Sequence, residues 1–206
     1  MDRILRSLSV ALMLAAAPAF TAIGTSPVQA QSADAAVTQV QGFYDALQAS
    51  MKSGGTAKSR YEKLKPAVEK AFDLSAMTAT AVGPSWASLS DADKKALTDA
   101  FSRMTIANYA KSFDSYGGEI FTVDPASVVR GNDHFVKSTM KTSKEAIAFN
   151  YRTHQVGSDW KITDVYLAGN ISQMAQKRSD FAATLASGGP QGLAKRISAL
   201  ADQMLS

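Results

Sequence analysis

The sequence has no cysteine among its 206 residues and only two histidines, His134 and His154. The missing cysteines exclude disulfide bridges, thiol catalysis and cysteine-ligated metal sites. Neither histidine stands in a spacing suited to metal ligation, and the turn-forming Asn132 and Asp133 predict that His134 lies in a solvated loop. No nucleophile elbow, phosphate-binding glycine loop or dinucleotide fingerprint is present. We therefore expect no metal, no cofactor and no catalytic motif of a familiar kind.

The excess of one sign of charge is also small, because 22 Lys and Arg against 18 Asp and Glu give a net charge of +4. Such a mild balance does not indicate nucleic-acid binding, although it permits contact with anionic membrane surfaces.

Six basic residues fall between positions 52 and 70, and Glu62 and Glu69 are the only acidic residues in this stretch. Runs of this kind are usually solvated helix faces, and the alternative is a docking surface for an acidic partner or a lipid head group. The run consists of Lys52, Lys58, Arg60, Lys63, Lys65 and Lys70.

Long apolar runs are missing except at the N-terminus. Basic residues Arg3 and Arg6 precede an apolar stretch over residues 8–17, and Val28-Gln29-Ala30 supplies a small-x-small cleavage site. This pattern predicts a secretory signal peptide over residues 1–30, because the apolar part is too short for an ordinary transmembrane helix. Residues 31–206 are then expected to form one exported domain.

Hydrophobic periodicity predicts helices, then strands, then helices. Three- and four-residue spacings indicate helices over residues 35–51, 59–82 with a break at 73–75, 90–113, 171–185 and after Pro190. Period-two patterns rich in β-branched and aromatic residues indicate strands over 120–123, 126–130, 135–142, 145–156 and 160–167. The predicted fold class is α+β, with an antiparallel β-meander packed against several helices.

Residue parity predicts which strand faces meet the helices. In the fourth strand, Phe149 and Tyr151 share the face that should be buried, while Arg152 shares the other face. In the last strand, Val165 is out of phase with Ile162, which indicates either apolar residues on both faces or a bulge.

Asp164 is the carboxylate most open to a functional interpretation, because it stands in a mostly apolar strand. In one hypothesis it is the general base of an isomerase-like enzyme with a cone-shaped α+β fold. In the other, it bridges a strand irregularity and accepts hydrogen bonds from backbone amides or a neighbouring Arg.

Three motifs in the last third of the chain resemble those of a known family. They are Trp160-Lys161-Ile162-Thr163-Asp164-Val165, Gly169-Asn170-Ile171-Ser172 and Arg178-Ser179-Asp180-Phe181. The chain resembles the MlaC-type periplasmic lipid carriers, also called the toluene-tolerance auxiliary family, over essentially the whole predicted mature domain. The stretch 171–179 is most similar to the hopanoid-associated branch, HpnM. Lys177 departs from the family pattern, because many MlaC proteins have a Tyr there, and this departure bears on phospholipid specificity.

The resemblance implies a periplasmic, non-enzymatic carrier that holds a phospholipid or hopanoid in a lipid-sized apolar cavity between a curved sheet and helices. Such a carrier would pass lipid between inner- and outer-membrane transport components, with transient proximity to the membrane. Because methionine and aromatic side chains adapt to irregular apolar cargo, the candidate lipid-binding residues are Met77, Trp86, Phe101, Met104, Phe149, Tyr151, Val165 and Leu167. Ordinary core packing is the alternative for each of them.

Two other functions remain open on the sequence. The enzyme using Asp164 requires a deep pocket with a carboxylate at its floor, whereas the carrier requires an uncharged cavity open at one end. A protein-binding adaptor requires a filled core and an exposed apolar patch.

Overall fold

The computed structural model describes residues 34–206, so the predicted signal peptide lies outside the described residues. The helices are α1 (Ala35–Ser53), α2 (Ala57–Ala71), α3 (Leu74–Val82), a 3-10 helix (Gly83–Ser88), α4 (Asp91–Ser112) and α5 (Gln173–Leu205). The strands are β1 (Ile120–Val123), β2 (Val128–Arg130), β3 (Asp133–Lys141), β4 (Ala146–Val156), β5 (Asp159–Leu167) and β6 (Ile171–Ser172). The α+β class predicted from the sequence is confirmed.

The six strands form one antiparallel sheet in the order β1-β3-β4-β5-β6. It differs from a simple meander at one edge, because β1 and β2 do not pair with each other. Instead, both pair with β3, β1 along residues 138–141 and β2 along residues 133–135. The length of β3 allows this arrangement, since a nine-residue strand can hold two short strands end to end.

A bulge in β5 explains the mixed parity of that strand. Arg152 pairs with Asp164 and Thr153 pairs with Ile162, which leaves Thr163 as the extra residue. The extra residue turns Ile162 and Val165 to the same side of the sheet, and both are buried. The bulge is therefore the alternative that the structure adopts.

Short polar side chains begin the helices where the sequence predicts. Ser90 caps α4 at Asp93 N, and Asp73 caps α3 at Ala76 N, which sets the predicted break between α2 and α3. At the same junction, the N–H of Asp73 donates to the carbonyl of Ile162 on β5. This contact joins the helical layer to the sheet.

Helix α5 consists of two arms separated at Gly189, whose φ of 63° and ψ of −169° lie outside the helical region. The following Pro190 begins the second arm, as expected for a residue that lacks an N–H. Both arms contact α4: Phe181 of the first arm meets Phe101 edge to face, and Asp202 of the second arm pairs with Arg103 at 2.6 Å. This kink is the predicted break between the last two helices.

Arg60 departs from the expected solvated basic run. Its side chain is buried, and its guanidinium donates from Nε to the carbonyl of Ala110 (2.8 Å) and from Nη1 to the carbonyl of Gly55. Because Ala110 lies in the last turn of α4, the positive charge meets the negative end of the helix dipole. The five lysines of the run are exposed, so Arg60 is a structural residue within an otherwise solvated face.

No helix within residues 34–206 combines the length and apolar character needed to cross a membrane.

The carboxylate of Asp34 ties the start of α1 to the β2–β3 hairpin. One oxygen accepts from the N–H groups of Ala36 and Val37, and the other accepts from the backbone N–H and hydroxyl of Ser127. Ser127 Oγ also lies 2.8 Å from His134 Nδ1. His134 is therefore a partly buried residue of β3, and the predicted loop position is wrong because residues 133–135 pair with β2.

The hydrogen bonds that the Asp34 carboxylate accepts lead to a prediction about stability. Burial raises the pKa of this carboxyl, but the hydrogen bonds from Ser127, Val37 and Ala36 together lower it below its ordinary value of 3.8. We expect Asp34→Ala to reduce the free energy of unfolding by about 2 kcal/mol at pH 7, measured by urea titration. The control Asp34→Asn keeps a capping oxygen and should lose roughly half as much.

The same experiment has a defined pH dependence. Because the folded-state pKa is below the unfolded value, the stabilisation is present above the unfolded-state pKa and is lost as the pH falls through the folded-state pKa. The stability difference between the original chain and Asp34→Asn should therefore shrink below about pH 4. A difference that is constant from pH 7 to pH 3 would contradict this role of the carboxylate.

Candidate functional site

A cavity of about 290 Å³ lies among α4, α5, the α2–α3 region and the sheet. Three strand residues form its sheet wall, and residues of the helices and of their C-caps form the rest. Ten of the sixteen lining residues are fully apolar: Phe72, Met77, Phe101, Met104, Phe113, Phe149, Val165, Leu167, Met174 and Met204. Such a lining suits an apolar ligand, because it offers dispersion contacts and few groups that would need hydrogen bonds.

Six of the eight predicted lipid-binding residues line this cavity, namely Met77, Phe101, Met104, Phe149, Val165 and Leu167. The structure brings them together from α3, α4, β4 and β5. Their contact with lipid stays a prediction.

Trp86 and Tyr151 lie outside the cavity lining. Tyr151 has the predicted inward parity, but its buried hydroxyl donates to the hydroxyl of Tyr44 on α1 at 2.9 Å. Tyr44 in turn lies 2.7 Å from Ser138 Oγ, so Tyr151 belongs to a hydrogen-bonded layer between α1 and the sheet. Trp86 lies in the 3-10 helix and packs against the edge of the core. Both residues pack in or against the hydrophobic core, and their contact with lipid also stays a prediction.

The sequence analysis missed several lining residues that had detectable signals. Tyr109 and Phe113 continue the apolar arc of α4, and helical spacing alone placed them near Met104. Met174 lies in the first turn of α5, directly after β6. Met204 had no usable signal, because only the fold brings the second arm of α5 back to the cavity.

Four of the eight methionines of the chain line the cavity: Met77, Met104, Met174 and Met204. Methionine side chains have three rotatable bonds and a polarisable sulfur, so they repack around differently shaped apolar groups at low cost. The walls of this cavity are therefore suited to changing shape with the ligand.

Tyr109 brings a neutral hydroxyl to the lining. Burial strongly raises the pKa of this phenol, and the nearby Tyr44 raises it further, so the hydroxyl stays protonated at physiological pH. Its ring packs against Phe43 and Phe72 with centroid distances of 5.0 and 5.7 Å. Tyr109 can thus offer an uncharged donor to a ligand without placing a charge in an apolar space.

The remaining polar lining residues all project from helices. Thr105, Asn108 and Ser112 follow one another at three- and four-residue spacing on α4, while Gln173 and Lys177 are four residues apart on α5. Asn108 and Ser112 are exposed, which marks the part of the cavity that opens to solvent. Among the lining residues of the described chain, Lys177 alone carries a charge.

Asp164 is buried beside the cavity without lining it. One of its oxygens accepts from the N–H groups of Val165 (2.8 Å) and Met174 (3.1 Å), and the other accepts from the hydroxyl of Ser172 (2.6 Å). Three donors from the protein thus occupy the carboxylate. This is the structural role proposed for Asp164 as the alternative to a general base.

A second, polar concave surface lies on the other face of the sheet. Here Arg152 forms a 2.6 Å ion pair with Asp133, and His154 Nε2 lies 2.9 Å from the carboxylate of Asp73. Between residues 34 and 206, no three His or carboxylate side chains are grouped so that they could hold a metal ion.

The position of Asp164 predicts what its replacement would do. In Asp164→Asn, the amide can no longer accept hydrogen bonds on both sides, so at least one buried donor loses its partner. We expect the free energy of unfolding to fall by about 2 kcal/mol in urea titration. The control Asp133→Asn, which disrupts a half-exposed ion pair, should lose less than about 1 kcal/mol. An Asp164→Asn variant of unchanged stability would contradict the structural role.

Comparisons with known proteins agree with this geometry. No curated protein matches the chain. Among solved structures, the phospholipid-binding protein from Ralstonia solanacearum, determined in complex with a phospholipid, shares 20% sequence identity with a TM-score of 0.73. The alignment covers 84% of this chain and 100% of that one, and it establishes a shared fold. The family model described as MlaC protein matches residues 38–199. This chain therefore belongs to the MlaC family.

Proposed function

We propose that this protein is a periplasmic carrier that binds a phospholipid with its acyl chains in the α4–α5 cavity. The observation that carries this proposal is the cavity itself, which has an apolar sheet wall, adaptable methionines and polar groups where it opens. An amphipathic molecule satisfies such a surface, because its apolar part replaces water against Phe149 and Val165 while its polar end stays near solvent. The family match and the phospholipid bound by the Ralstonia protein support the same cargo class.

An apolar cavity of this kind lowers the free-energy cost of moving a lipid through water from one membrane to another. Burying one methylene group is worth roughly 0.8 kcal/mol relative to water, so a two-chain lipid cannot leave a bilayer unassisted at a useful rate. A carrier removes this barrier by offering an apolar surface comparable to the bilayer interior. We propose that this chain exchanges lipid with inner- and outer-membrane transport components, and that these partners supply the energy.

The volume of the cavity bears on how cargo enters. At about 290 Å³, it lies just below the roughly 300–1,000 Å³ typical of ligand sites, and it is smaller than the lipid-sized space expected from the sequence. Two acyl chains therefore require the walls to separate. The methionines Met77, Met104, Met174 and Met204 make this separation inexpensive, because their side chains can refill the gap when the cargo leaves.

The adaptable lining of the cavity supports phospholipid as the cargo over hopanoid. Flexible acyl chains can follow an irregular space lined by methionine and aromatic side chains, whereas a fused hopanoid ring system demands a wide rigid slot. We therefore propose phospholipid as the cargo and treat hopanoid binding as an outcome that the experiments distinguish.

Blocking the cavity tests the proposal. Thr105→Trp places a large ring at the lining of the cavity, so we expect at least a tenfold loss in the extraction of fluorescent phospholipid from vesicles, or about 1.4 kcal/mol. Thr98→Trp is the matched control, because Thr98 lies on the same helix, is also partly buried and does not line the cavity. Urea unfolding verifies that both variants fold. Equal extraction by the two variants would overturn the assignment of this cavity as the lipid site.

A further inference from the structure

Resting on the proposed function, we infer that Lys177 recognises the phosphate of the cargo lipid and makes this carrier selective for phosphate-bearing head groups. Lys177 is the charged residue of the cavity lining, and it lies on the first arm of α5 beside the apolar Met174. A ligand whose apolar part fills the cavity would therefore bring its polar end within reach of a single cation.

The ammonium group of Lys177 is free to make this contact. Its ion-pair partner within residues 34–206 is Asp180, one turn further along α5, at 3.7 Å between Nζ and Oδ2. Both side chains are more than a third exposed, and an exposed pair of this separation is weak. The flexible lysine stem can exchange Asp180 for a phosphate oxygen without disturbing the fold.

The neighbouring arginine is committed elsewhere. Arg178 donates from Nε to the carbonyl of Thr80 at 2.9 Å, and its side chain lies against Gly83. It thus fastens α5 to α3 and does not line the cavity. Two adjacent cations on one helix consequently have different roles, and only Lys177 is left for a ligand.

Two backbone donors at the start of α5 are already engaged. Asp164 accepts from the N–H of Met174, and Ser172 caps the N–H of Ala175. The side chain of Lys177 is therefore the charged donor that the lining offers to an anionic head group. Hydroxyl and amide groups of Ser112, Asn108 and Gln173 line the same cavity and can donate to ester or phosphate oxygens.

If Lys177 recognises phosphate, replacing it should affect two lipids with the same acyl chains differently. Phosphatidylglycerol and diacylglycerol can be prepared with identical chains, and they differ in the phosphate head group. We expect Lys177→Gln to weaken phosphatidylglycerol binding about three- to tenfold, since a charge-assisted hydrogen bond is lost at a partly exposed site. Binding of diacylglycerol should not change. Lys177→Arg keeps the positive charge, so this variant should bind phosphatidylglycerol about as well as the original chain does.

The experiment measures the uptake of fluorescent phosphatidylglycerol or diacylglycerol from vesicles of otherwise equal composition. Lys195→Gln is the control, because Lys195 is exposed on the second arm of α5 and does not line the cavity. Equal losses for both lipids in Lys177→Gln, or no loss for either, would overturn the role in phosphate recognition. Calorimetric binding of glycerol 3-phosphate that requires Lys177, together with phosphatidylglycerol uptake that does not, would also overturn it, because the site would then serve a soluble phosphate ester.

A failure of the proposed carrier function would give a different experimental result from a failure of the inference about Lys177. If the original chain took up neither lipid, the carrier proposal itself would fall, regardless of any substitution at Lys177.

Discussion

A single buried carboxylate holds two walls of the cavity together. Asp164 accepts hydrogen bonds from the N–H groups of Val165 on β5 and Met174 on α5, and both of these residues line the cavity. The negative charge lies at the start of α5, where the helix dipole favours it, and charge-assisted hydrogen bonds are stronger than neutral ones. The direction in which α5 leaves the sheet depends on this junction, and with it the placement of Lys177. The residue that most resembled a catalytic base is thus the one that joins the sheet wall of the cavity to α5.

A carrier must bind its cargo about as well as a membrane does, and no better by many kcal/mol. This constraint explains the character of the site more fully than affinity alone would. Rigid, complementary walls would retain the lipid, whereas in the proposed site the side chains of Met104, Met174 and Met204 can repack when the cargo leaves. The hydrogen-bonded layer of Tyr44, Tyr151 and Ser138 lies behind the cavity, so the core can stay ordered while the lining changes.

The sequence predicted those features that depend on local pattern. Period-two parity placed Phe149 on the buried face, and the change of phase within β5 indicated the bulge that the structure places at Thr163. Parity did not distinguish cavity-lining residues from core residues. Tyr151 has the same parity as Phe149, but Tyr151 is covered by Tyr44 of α1. Met204 could not be found either, since its approach to the cavity depends on the reversal at Gly189. Periodicity tells which side of an element is buried, whereas tertiary packing decides what that side meets.

The most direct test of the carrier account is native mass spectrometry of the protein, purified from its own cells without detergent, with identification of any bound species after extraction. The account predicts one phospholipid per protein. A bound hopanoid would retain the carrier but contradict phospholipid as its cargo and phosphate recognition by Lys177. A lipid-free mass that is unchanged after incubation with phospholipid and hopanoid vesicles would contradict the carrier account itself.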